Sequence, residues 1–88
     1  MFRLWVREFK DNHMVNDLTI EDSSSDTRTH KVLSGLEKAC HDLNIAIPLW
    51  LDLNIRDFKK YSRTRFTQDS FMEEIEFDYL EIRIIEED

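Results

Sequence analysis

One apolar stripe at period 3.6 sits in a chain whose other apolar residues alternate, and that contrast fixes the fold class. Val32, Leu33, Leu36, Ala39, Cys40 and Leu43 trace a single helical face over about residues 27–43. The preceding Asp22-Ser-Ser-Ser-Asp26 is rich in capping residues. Ser25 or Asp26 is placed to accept from the free N–H groups of the helix start, and Asp22 and Asp26 complement its dipole. Asn44 supplies the stop, with Pro48 shortly after. Gly35, inside the helix, costs about 1 kcal/mol against alanine and marks close approach to another element.

The flanking segments have period two. Phe2, Leu4 and Val6 form one face of a strand over residues 2–10; Arg3, Trp5, Arg7 and Phe9 form the other. Asp11-Asn12 is a turn signal, because both residues tolerate left-handed backbone. A second strand follows over about 13–21, with Met14, Leu18 and Ile20 inward. Ile45, Ile47, Leu49, Leu51 and Leu53 also alternate, which predicts a strand near 47–52, at an edge because of Pro48. Asn54 caps a short helix over about 55–61, with Ile55 and Phe58 inward. Residues 63–67 read as a short strand. Ser70 and Glu73 have capping-box spacing, which predicts one helical turn there. A final strand spans about 77–85, with Leu80, Ile82 and Ile84 on its apolar face and Tyr79, Glu81, Arg83 and Ile85 on the other.

The reading is one α+β domain over residues 1–88, in the order β-β-α-β-(short α)-β-β, with a mixed sheet and one main helix on one face. This order resembles the β-grasp fold of ubiquitin-like proteins. The resemblance implies that the first and last strands pair in parallel at the sheet centre. The chain ends Ile85-Glu-Glu-Asp88, without the diglycine of conjugated modifiers, so conjugation is not implied.

Charge is unevenly spread. Residues 69–88 hold nine acids and one base, while residues 1–68 hold ten acids and eleven bases, for a net charge of −7 overall. A field this negative repels nucleic acid and anionic membranes unless a local basic patch overrides it. The single cysteine, Cys40, permits no internal disulfide and fits a reducing compartment. No secretory signal pattern or membrane-length apolar run is visible, so a cytoplasmic location is expected. One glycine and one proline leave no phosphate-cradling glycine loop.

Three surfaces are candidates. Arg3, Trp5, Arg7, Tyr79 and Arg83 share the sheet face away from the helix. They read either as a solvated face with ordinary cross-strand pairing or as a surface for a protein partner or a second copy. Arg56, Lys59, Lys60, Arg63 and Arg65, interleaved with aromatics, suit a phosphate backbone; pairing with the acidic strand explains them as well. Residues 73–88 read as an acidic mimic of nucleic acid or as a solvating, edge-protecting charge run. His13, His30 and His41 lack zinc spacing, and the acids lack a calcium-loop pattern, so no cofactor or metal is expected. Cys40 falls on the apolar stripe as a small hydrophobe, and no residue set demands catalysis. The resulting expectation is a non-catalytic protein-interaction module using the outer sheet face.

Overall fold

The computed structural model describes residues 1–87; Asp88, counted above with the acidic end, lies outside them. Two strands, β1 (Phe2–Lys10) and β2 (His13–Asp22), form an antiparallel hairpin. Asp11 and Asn12 make its two-residue turn at φ 52° and 65°, the left-handed conformation their side chains tolerate. Phe2, Leu4 and Val6 are buried, and Ile20 faces them from β2. The register slips between Glu8 and Phe9, where Val15 is the extra residue of a bulge in β2. The slip pairs Met14 with Phe9 on the outer face, so Met14 is half exposed instead of inward.

Helix α1 (Arg28–Leu43) buries Val32, Leu36, Ala39 and Cys40 as its spacing predicts. Its N-cap is Thr27, whose Oγ1 accepts from the His30 N–H at 3.2 Å; neither Ser25 nor Asp26 is the cap. Asp26 instead accepts from the Thr27 N–H and lies 2.9 Å from His30 Nδ1. The His30 contact, then the Thr27 N–H, holds the Asp26 carboxyl below its ordinary range. Asn44 ends the helix at φ 58°. Gly35 lies against β1 and β2: a Cβ there would come 3.1 Å from Leu4 Cδ2. Leu33 departs from the stripe and is exposed.

Residues 45–51 form no strand. Pro48 has no N–H to give a ladder, and the alternation runs in the opposite phase. Pro48 is buried and Trp50 packs on the core, which turns Ile47, Leu49 and Leu51 outward. Leu49 N–H still donates to Ser70 O at 2.7 Å. Helix α2 (Asp52–Tyr61) begins three residues before its predicted start. Asn54 sits in its first turn, and its Oδ1 accepts from the Leu51 N–H at 3.0 Å. Phe58 is inward, but Ile55 is exposed.

β3 (Arg63–Phe66) follows, then a 3₁₀ turn at Gln68–Ser70, then β4 (Tyr79–Glu86). The turn precedes the Ser70–Glu73 position read from the sequence. Ser70 is buried against Asn54 rather than capping a helix.

The four strands lie in the order β2-β1-β4-β3, and every pairing is antiparallel. The sheet is therefore not mixed, and the parallel pairing implied by the β-grasp resemblance does not form. β3 runs in the direction of β1, and the 67–78 connection turns the chain back, so β4 meets both neighbours antiparallel. The first and last strands are nonetheless adjacent at the sheet centre. Both helices bury side chains in one cluster, α1 against β1 and β2, α2 against β3. Among the described residues, no helix is long and apolar enough to cross a membrane.

Candidate functional site

The outer sheet face gathers the side chains read from the sequence, and most of them are engaged with one another. Glu81, buried at 6% exposure, pairs with Arg7 on one side and with Arg65 Nε at 3.0 Å on the other. The Arg7 guanidinium lies 4.1 Å from the Trp5 ring centroid and 5.2 Å from that of Phe9. Phe9 stacks on Tyr79 at 4.9 Å, and Arg65 lies 4.6 Å over Tyr79. The Trp5 indole N–H donates to Asp17 Oδ2 at 3.0 Å. Arg3 Nε lies 3.2 Å from Glu21 and 3.4 Å from Glu86. These are the cross-strand ion pairs and cation–π contacts that stabilise a sheet face. Trp5, Arg7 and Tyr79 are half-buried in this network. Arg83 stands apart from it, exposed and without an ion pair among the described residues.

The five basic residues of 56–65 are divided between two elements. Arg56, Lys59 and Lys60 lie on α2, whereas Arg63 and Arg65 lie on β3, with Thr64 and Phe66 between and beyond them turned inward. Lys60 Nζ covers Tyr61 at 5.3 Å. Arg65 is held by Glu81, which raises its pKa and keeps the guanidinium charged.

The acidic segment begins as a loop anchored at both ends and continues into β4. Phe71 and Phe77 are buried edge to face at 5.6 Å. Gln68 braces the residues between them: its Nε2 donates to Glu73 O at 2.8 Å and its Oε1 accepts from Ile75 N–H at 2.9 Å. Glu73, Glu74 and Glu76 are exposed, while Asp78 accepts from the Asp11 N–H at 2.9 Å. Among the described residues, no group of three or more His, Cys, Asp or Glu side chains is placed to hold a metal ion. Cys40 is fully buried, and burial pushes its thiol up to about 11.

The helical side carries an apolar surface that the sequence pattern concealed. A groove of about 420 Å³ runs between α1 and α2, floored by Val32, Trp50 and Phe58. Leu33 and Ile55 form its apolar walls at 46% and 40% exposure. Arg28 and Lys59 stand at its rim. Ile47, Leu49, Leu51 and Leu53 are also exposed along the chain that leads into α2. The signal that could have revealed this was Trp50 itself: placing the largest side chain of 45–53 inward turns its alternating neighbours Ile47, Leu49, Leu51 and Leu53 outward, while Ile45 still packs on the core. No family model, curated protein or solved structure matches the chain, and the functional reading rests on this geometry.

Proposed function

We propose that this domain is a non-catalytic protein-interaction module whose docking site is the groove between α1 and α2. The observation that carries the reading is that apolar groove, with Leu33 and Ile55 left exposed on a small domain. A concentration of exposed aliphatic surface is uncommon unless something covers it. Covering what remains exposed of Leu33 and Ile55 would contribute roughly 1 kcal/mol each, since each is already more than half buried.

The occupant is an amphipathic segment of a partner protein, with aliphatic residues on one face and carboxylates beside them. Charge complementarity supports that choice through α2: Lys59 flanks the groove and Arg56 and Lys60 lie on the same helix, whereas Arg28 at the rim is already paired with Glu87 at 2.7 Å. A helix laid in a groove presents its apolar anchors at i, i+3, i+4 and i+7. The outer sheet face gives less support to docking, because Arg3, Trp5 and Arg7 already have partners within the fold.

The test uses a labelled helical peptide with leucines at i, i+3 and i+7 and glutamates on the flanks, beside its lysine counterpart. The acidic peptide binds, and the Leu33→Lys, Ile55→Lys double variant weakens binding more than tenfold without changing the circular dichroism spectrum. Equal binding of both peptides, or binding insensitive to the double variant, overturns the reading. Concentration-dependent light scattering abolished by the same variant would make a second copy the occupant, and would overturn the acidic-partner version.

A further inference from the structure

The arginines of the outer sheet face fall into two groups. Arg3, Arg7 and Arg65 each meet a carboxylate. Arg63 and Arg83 meet none among the described residues, yet they are directly opposite each other across β3 and β4. The Ile84 N–H donates to Ser62 O at 2.9 Å, which makes Arg63 and Arg83 a non-hydrogen-bonded pair, the position where side chains on neighbouring strands come closest. Like charges placed so destabilise a sheet. Glu81 is committed to Arg7 and Arg65, and Glu86 to Arg3 and the N-terminal amine; Asp57 of α2 lines the same cleft as Arg63 but makes no ion pair with it. Trp5 is the cross-strand neighbour of Arg83 on its other side, with its indole N–H given to Asp17. Nothing in this row supplies negative charge.

We propose that Arg63 and Arg83 form a binding site for a phosphate-class dianion. Two guanidiniums project from rigid, hydrogen-bonded strands, and each offers a planar fork of donors. A tetrahedral dianion brings two charges and enough oxygens for both forks. A single carboxylate brings one charge and is matched by one guanidinium. The site lies on the opposite side of the sheet from the α1–α2 groove and stands independently of it. The chemistry is shared by free phosphate and by a phosphoryl monoester.

Amide and arginine Nε resonances followed during titration decide the matter. The titrants are inorganic phosphate, phenyl phosphate and, at matched ionic strength, chloride. Phosphate produces saturable shifts at Arg63, Arg83 and the Trp5 indole, and chloride does not. Arg83→Gln and Arg63→Gln each weaken the response about tenfold or more, as loss of a charge-assisted hydrogen bond does, while Lys38→Gln leaves it unchanged. Without phosphate, Arg83→Gln keeps or raises the melting temperature, because the pair is repulsive in the empty fold. Saturation by inorganic phosphate alone assigns a free ion; saturation by phenyl phosphate as well assigns an attached phosphoryl group. Absence of saturation by both, an equal response to chloride, or full binding by Arg83→Gln overturns the proposal.

Discussion

Gly35 of α1 and Leu4 of β1 are in contact so close that a Cβ at position 35 would lie 3.1 Å from Leu4 Cδ2. Ile20 crowds the same point, with its Cγ2 at 3.6 Å. A larger side chain must push α1 off the sheet or force Leu4 from its rotamer. Gly35→Val is therefore expected to destabilise the fold by about 2 kcal/mol, within the range for overpacked cores. Gly35→Ala costs less, because its gain in helix propensity of about 1 kcal/mol offsets the crowding. Urea denaturation of both variants checks the order.

Glu81 is the shared counter-ion of Arg7 and Arg65 and is buried between them. Its removal leaves Arg7, held between the Trp5 and Phe9 rings, without a carboxylate. Glu81→Ala is expected to cost about 3 kcal/mol. The Arg65→Ala change, on the exposed side of the pair, costs under about 1 kcal/mol. Chemical denaturation at low and high salt reads both, with the smaller effect fading as salt rises.

Asn54 ties three parts of the fold together. Its Nδ2 donates to Thr64 Oγ1 and to Arg65 O, each at 2.9 Å, while its Oδ1 accepts from the Leu51 N–H. Asn54→Leu strands a buried strand carbonyl and the helix-start N–H, at a cost of about 3 kcal/mol. Hydrogen exchange should accelerate first at Leu51 and in β3, before the β1–β2 hairpin is affected.

The Cys40 thiol makes alkaline stability a probe of the core. Burial pushes it up to about 11 from its ordinary 9.0. The folded state then holds a proton that the unfolded state releases. This contribution is fully present below pH 9 and is lost as pH rises from 9 to 11, by about 3 kcal/mol in all. Cys40→Ala should flatten that part of the stability profile relative to the parent. The native thiol should also resist disulfide reagents at pH 8 until denaturant is added.

Much of the architecture is legible in local pattern. β1, α1 and β4 each carry an uninterrupted apolar face, and the burial of Leu4, Val6, Leu36, Ala39, Ile82 and Ile84 follows from it. Asp11 and Asn12 announce their turn through their tolerance of positive φ. Strand direction has no such local mark: the same alternating β4 suits parallel or antiparallel pairing, and only the course of residues 44–78 decides it. The stretch 45–53 misled because alternation gives a period without a phase. Trp50 and Pro48 take the inward positions, and a phase read from the aliphatics alone turns residues 47–51 inside out. For the sites, spacing placed Arg3, Trp5, Arg7, Tyr79 and Arg83 on one face. It could not show that Glu81 engages Arg7 and that Asp17 engages Trp5, because these are contacts between different strands.

The two edges of the sheet are unlike each other, and neither is a flat ladder. β2 is bulged at Val15 and bears Asp17, Glu21 and Asp22; β3 is only four residues long and carries two arginines. An identical chain arriving at either rim finds a kink or a charge where it would need an extended template. The domain thus exposes its aliphatic 47–55 segment beside strand edges that are poor templates for fibril growth.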